Sequence, residues 1–314
     1  MTVRRAAAAA VALLALSACS NSSGDAPSPS TSAPRATSTP SPSATAAGTG
    51  SLYVSLGDSY AAGQQATGPG EGHTTRNGFA YQVVDDAVAN GYHLKLVNFG
   101  CAGATTASML HDSGCAPRLL GPGAARYSQP QAAAAAAFLR SHRGQVALIT
   151  VSIGGNDVTG CAAVANVVPC VAAALKVITK NLRTMLVRLR AAAGPSTVIV
   201  GTTYPDIFLG KAVSGRPSDL RLAKLSALGF RSLINPTLKA AYAAVDGKFA
   251  DVTAATGGYV PLRRTTTLAP YGRIPVAVAK VCRLTYFCQY GDIHPRTDGY
   301  GIIARLVVNA LPRR

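Results

Sequence analysis

The chain has 314 residues, 48% of them hydrophobic and 14% charged, which is too much apolar surface for a wholly disordered polypeptide. Its 30 Lys and Arg against 13 Asp and Glu give a formal charge of +17. That balance suits contact with anionic surfaces such as membranes or envelope wall polymers, or simply a solvated basic exterior, whereas the basic residues are scattered without an aromatic-basic motif and exclude nucleic acid as the expected partner.

In chain order, Arg4 and Arg5 precede an apolar run over residues 6–16 that is too short for a stable membrane span and reads as an export signal. Leu16, Ser17, Ala18 and Cys19 resemble a bacterial lipobox, in which the signal is cut before the cysteine and the new terminal Cys19 is diacylated. The alternative is an ordinary secretory peptide. Residues 20–50 are almost entirely Ser, Thr, Pro, Ala and Gly, with too little apolar surface to offset the entropy of ordering, and read as a flexible tether. The expected organisation is a signal peptide over 1–18, the lipidated Cys19 with its tether over 19–50, and one monomeric globular domain over 51–314. The expected location is extracytoplasmic, on the outer face of the cell membrane or secreted.

The globular part opens with a strand over residues 51–56 (SLYVSL), a Gly-rich turn and a helix near 79–90. Further strands are expected at 94–99, 146–153, 197–203 and near 249–253, with helices around 171–193 and 219–245 and a last one over 297–310. Strands alternating with helices imply an α/β domain built on a parallel sheet, whose ligands bind beyond the carboxyl ends of the strands.

Four segments stand at such places. Gly57, Asp58, Ser59 and Tyr60 follow the first strand and put a hydroxyl on a tight turn. After the second comes the stretch from Asn98 to Thr106, which holds Gly103, and after the third come Gly154, Gly155, Asn156 and Asp157. A glycine lets its N–H approach a substrate oxygen closely, and an asparagine amide is a donor without a charge. Before the last helix, Gly291, Asp292, Ile293, His294 and Pro295 supply a histidine, the side chain best suited to take a serine proton near neutral pH. His73, His93, His111 and His142 are rival bases, but none stands beside an acid in a loop of this kind.

The segments GDSY, GATT, GGND and D-x-H-P resemble, in order, the four conserved blocks of the SGNH (GDSL-like) hydrolases. The resemblance implies a flavodoxin-like, three-layer α/β/α sandwich with a five-stranded parallel sheet, and hydrolysis of lipid or small acyl esters without metal or cofactor. It also implies Ser59 as nucleophile, His294 as base, and the N–H groups of Ser59 and Gly103 with the Asn156 amide as oxyanion donors. The family usually sets its supporting aspartate three residues before the histidine, where this chain has Gly291. Either Asp292 or the Gly291 carbonyl therefore supports the imidazole. Asp58 and Asp157 read as scaffolding.

Setting Cys19 aside leaves six cysteines in three close pairs, Cys101 with Cys115, Cys161 with Cys170 and Cys282 with Cys288, and disulfides are expected between them in an exported chain. Residues 61–75 and 262–290 are expected to wall the pocket, and short or medium acyl esters are the preferred substrates, since no tryptophan is present for extended sugar stacking although the twelve tyrosines could take its place. Three alternatives stay open: a non-catalytic envelope- or carbohydrate-binding lipoprotein on the same fold, an O-acyltransferase or deacetylase acting on envelope glycans, and an α/β-hydrolase. The last is disfavoured because residue 61 is alanine where a G-x-S-x-G elbow needs glycine.

Overall fold

The computed structural model describes residues 51–314, so the expected signal peptide, the lipid acceptor Cys19 and the tether lie outside the described residues. The first strand, β1 (Leu52–Gly57), is buried on both faces from Tyr53 onward, as an interior strand of a parallel sheet must be. The short helix α1 (Ser59–Ala62) leads into an antiparallel hairpin of β2 (Gln64–Gly68) and β3 (Glu71–Thr74), then α2 (Phe79–Asp86) and β4 (Lys95–Asn98). Helices α3 (Thr106–His111) and α4 (Gln131–Ser141) precede β5 (Val146–Ser152), α5 (Gly155–Val158) and the long α6 (Val167–Ala193). There follow β6 (Val198–Thr202), α7 (Pro217–Gly229), α8 (Asn235–Ala243), β7 (Lys248–Ala250) and α9 (Val252–Ala255). A second hairpin, β8 (Thr265–Leu268) and β9 (Gly272–Pro275), is followed by α10 (Val276–Leu284), α11 (Phe287–Tyr290) and α12 (Thr297–Asn309).

Strands β4, β1, β5, β6 and β7, in that order, form one parallel sheet, and they are the five strands expected from the sequence. On one face the apolar side of α6, from Leu175 through Ile178, Leu182 and Leu186 to Leu189, packs with the alanines of α4 against Val54, Ile149 and Val151. On the other, Phe79 and Val83 of α2 and Tyr300, Ile303 and Val307 of α12 cover Tyr53, Leu148 and Val200. The result is a three-layer α/β/α sandwich. No helix among the described residues is long and apolar enough to cross a membrane.

Two departures from the sequence reading have clear causes. Helix α4 was not expected, because a run of alanines marks neither face as apolar by periodicity. A single helix over 219–245 was expected, but a π-helical turn at Phe230–Ile234 separates α7 from α8. Pro236 lacks an N–H and its ring crowds the carbonyl four residues back, so the chain widens by one residue there rather than continuing regularly. The three disulfides join Cys101 to Cys115, Cys161 to Cys170 and Cys282 to Cys288, the pairing expected from their spacing.

Candidate active site

The chain enters the sheet at β1, passes to β4 on one side, and returns across β1 to β5 on the other. The carboxyl ends of β1 and β5 therefore flank the crevice where an open α/β sheet binds ligands. Ser59 follows β1, and Gly154 to Asn156 follow β5.

The turn that carries Ser59 is held from several sides. Gly57 has a φ of 140° and lies against the Ser152 carbonyl, where any Cβ would collide, so only glycine fits. The buried Gln131 side chain reads both backbone groups of Gly57, accepting from its N–H at 2.8 Å and donating to its carbonyl at 3.0 Å. Asp58 caps α1 by accepting the Tyr60 N–H at 3.0 Å, and it takes the Tyr204 hydroxyl at 2.5 Å. Burial lifts the Asp58 carboxyl from 3.8 to about 6, and these two donors keep it from rising further. Neither the Ser59 N–H nor the Gly103 N–H has a hydrogen-bond acceptor among the described residues, as first-turn and loop amides commonly lack one.

The loop between α11 and α12 brings in the imidazole. Gly291 closes α11 in the left-handed region at φ 71°, which turns Asp292 back toward the histidine. One oxygen of Asp292 then accepts both the His294 backbone N–H at 2.8 Å and ring Nδ1 at 2.9 Å. The opposite nitrogen, Nε2, lies 2.9 Å from Ser59 Oγ. The Tyr60 hydroxyl donates to the Ile293 carbonyl at 2.7 Å, so the serine turn and the histidine loop are tied together directly. With Nδ1–H given to the carboxylate, Nε2 is bare and can accept the serine proton. Burial alone would raise Asp292, but the bonds from the His294 ring and N–H hold it below its ordinary value. Of the two supports left open by the sequence, Asp292 is the one that meets the ring.

The structure also joins the two donor loops. Asn156 Nδ2 donates to the Ala104 carbonyl at 2.8 Å, and Asp157 accepts the Thr106 N–H at 3.0 Å and the Thr106 hydroxyl at 2.6 Å. Asn156 lines the pocket of Ser59. Gly103, at φ 85° with open space where a Cβ would stand, lines a neighbouring depression. The rival histidines are elsewhere: His73, His93 and His111 are exposed, and His142 stacks on Phe138 and bonds its carbonyl at 2.9 Å. Among the described residues no group of three or more His, Cys, Asp or Glu is placed to hold a metal ion.

The expected pocket walls are a correction. Neither residues 61–75 nor residues 262–290 line the cavity at Ser59; its walls come from α5, from residues 203–208 after β6 and from the π-helical turn. Residues 262–290 instead pack their hairpin and α10 against Leu209, Ala212 and Ala223 in a separate apolar cluster. Sequence reasoning also missed Gln131 and Tyr204. A lone glutamine opening an alanine run, and a tyrosine two residues past a strand end, were the available signals.

The family model of the GDSL-like lipase/acylhydrolase family matches residues 55–302. No curated protein sequence matches the chain. Among solved structures, an extracellular lipase from Streptomyces rimosus is similar at 18% identity and a TM-score of 0.48, over 83% of this chain and 99% of its own. A phospholipase A1 from Streptomyces albidoflavus NA297 gives 18% and 0.47 over 83% and 99%. An acetylxylan esterase from Geobacillus stearothermophilus gives 15% and 0.44 over 84% and 95%.

Proposed function

The chain belongs to the GDSL-like lipase/acylhydrolase family and is a carboxylic ester hydrolase, and from that premise we propose that it works through an acyl intermediate on Ser59 with His294 as general base and Asp292 as the group that orients and stabilises it. The observation that carries this reading is the continuous chain from Ser59 Oγ through His294 to Asp292, with both links at 2.9 Å. As Oγ attacks the ester carbon, Nε2 takes its proton and the carbonyl electrons move onto oxygen. The Ser59 N–H, the Gly103 N–H and the Asn156 amide hold that oxyanion. Collapse expels the alcohol, which leaves with the proton from Nε2, and water then repeats the sequence to release the acid.

Export belongs to the same proposal: cleavage before Cys19, acylation of that cysteine, and a monomeric domain held off the outer membrane face by residues 20–50. Its supports are the lipobox-like sequence and three disulfides, which persist in oxidising compartments. Replacing Cys19 by Ser should release the protein from the membrane fraction.

Hydrolysis of a nitrophenyl ester by purified protein tests the chemistry. Ser59→Ala should abolish it and should also lose labelling by a fluorophosphonate probe, and near-wild-type turnover by this variant would overturn the assignment.

A further inference from the structure

The cavity at Ser59 shares part of its lining with a neighbour. Val158, Phe208, Phe230 and Ile234 line both it and a second chamber that opens behind them, about 60 Å³ near the serine and about 240 Å³ beyond. One wall of the second chamber is the loop closed by the Cys161–Cys170 disulfide with the first turns of α6, presenting Val168 and Val171. The facing wall is α7 and the π-helical turn, presenting Leu222, Leu225, Leu228 and Leu233. Ser226 and Ser232 are the polar side chains on its lining, and the Ser226 hydroxyl is occupied by Asp206 and the Ala223 carbonyl. Among the described residues no charged group lines this chamber.

We propose that this chamber is the acyl-chain subsite, and that the enzyme selects esters of long-chain fatty acids over acetyl and other short acyl esters. The inference rests on the Ser59 hydrolase reading and narrows it to one substrate class. A lining without charges offers no counter-ion to a phosphate or a carboxylate but removes hydrocarbon from water, and each buried methylene strengthens binding by a factor of about three to four. The direction also fits. The leaving oxygen must take its proton from His294, so the alcohol stays on the imidazole's side and leaves the rest of the cavity, which Asn156 and Val158 line, to the acyl group.

Four lining residues are exposed for apolar side chains: Val168 by 58%, Leu225 by 46%, Leu228 by 61% and Leu233 by 40%. Exposed apolar side chains grouped around one cavity mark a binding site, and a fatty chain lying in the chamber would cover them. This departs from the short-acyl expectation of the sequence. Residues 158–171 and 222–234 are far apart in the chain, and only folding sets them face to face.

Gly229 provides the test. It lines the chamber in helical backbone (φ −60°, ψ −47°), and a Cβ there meets nothing within 4 Å. Gly229→Phe should therefore fold while filling the space, Ala162→Phe would obstruct the opposite wall, and Gly229→Ala is the control for backbone effects. With acetyl, butyryl, octanoyl and palmitoyl nitrophenyl esters, wild-type kcat/KM should rise with chain length by at least about tenfold. Either Phe variant should lose that rise and keep acetyl turnover, and the Ala variant should keep both. A wild-type profile that is flat or falls with length, or a Phe variant that keeps the long-chain preference, would overturn the inference. Binding of a fluorescent long-chain fatty acid to the Ser59→Ala protein separates the two readings. If no ester is turned over but this binding is present and vanishes with Gly229→Phe, the catalytic assignment fails and the subsite stands; without such binding the subsite fails.

Discussion

Replacing Asp292 by Asn isolates the charge of the group that faces His294. The asparagine carbonyl oxygen has the shape to accept the same two N–H groups, at 2.8 Å from the backbone and 2.9 Å from Nδ1, so loop and ring orientation should survive. What disappears is the negative charge beside an imidazole that becomes positive as it takes the serine proton. Two unit charges 2.9 Å apart interact by about 6 kcal/mol at an effective dielectric near 20. The side chains are 14% and 21% exposed, so water screens part of this and about 3 to 6 kcal/mol is a reasonable span. At about 1.4 kcal/mol per decade, kcat/KM should fall by roughly 10²–10⁴ with little change in KM. Steady-state hydrolysis of a soluble nitrophenyl ester, with circular dichroism to confirm folding, measures it. An Asp292→Asn enzyme within threefold of wild type would show that the carboxylate only shapes the loop and that a serine-histidine dyad suffices.

Asn156→Ala should lower kcat by roughly 10²–10³ through loss of one oxyanion donor, with KM less affected; an unchanged kcat would remove Asn156 from the mechanism. The buried Asp206 is raised from 3.8 to about 7 by desolvation, against the Ser226 hydroxyl and the Phe208 and Leu209 N–H groups, which pull it down. The folded state thus holds its proton more tightly than the unfolded chain. Its contribution to stability is fully present below about pH 4 and is lost as pH rises to about 7, by up to about 4 kcal/mol. Asp206→Asn should flatten urea-unfolding stability across that window, and an unaltered pH slope would contradict the burial argument. Removing the Cys161–Cys170 disulfide by a double Ser substitution should cost about 2–3 kcal/mol for a loop of 9 residues. The same change should erode long-chain turnover more than acetyl turnover, and equal losses would separate this loop from the acyl chamber.

Several features of this molecule are local and could be read along the chain. Strand and helix identities follow from apolar patterning, so β1 and α12 were visible, and the loops after β1, β4 and β5 were recognisable because turn chemistry and strand ends lie together in the sequence. Ser59, Asn156 and His294 were nameable for that reason, and so was the pairing of cysteines separated by 14, 9 and 6 positions. Whether Asp292 or the Gly291 carbonyl meets Nδ1 depended on backbone dihedrals, and the left-handed turn at Gly291 decided it. The supports of the nucleophile, Gln131 at 74 residues from Gly57 and Tyr204 at 146 from Asp58, are products of packing across the sheet. The cavity walls are of the same kind. A one-dimensional pattern records which residues want to be buried, but the identity of the residues that face each other across an empty space is set only when helices with distant sequence positions are laid on the same sheet.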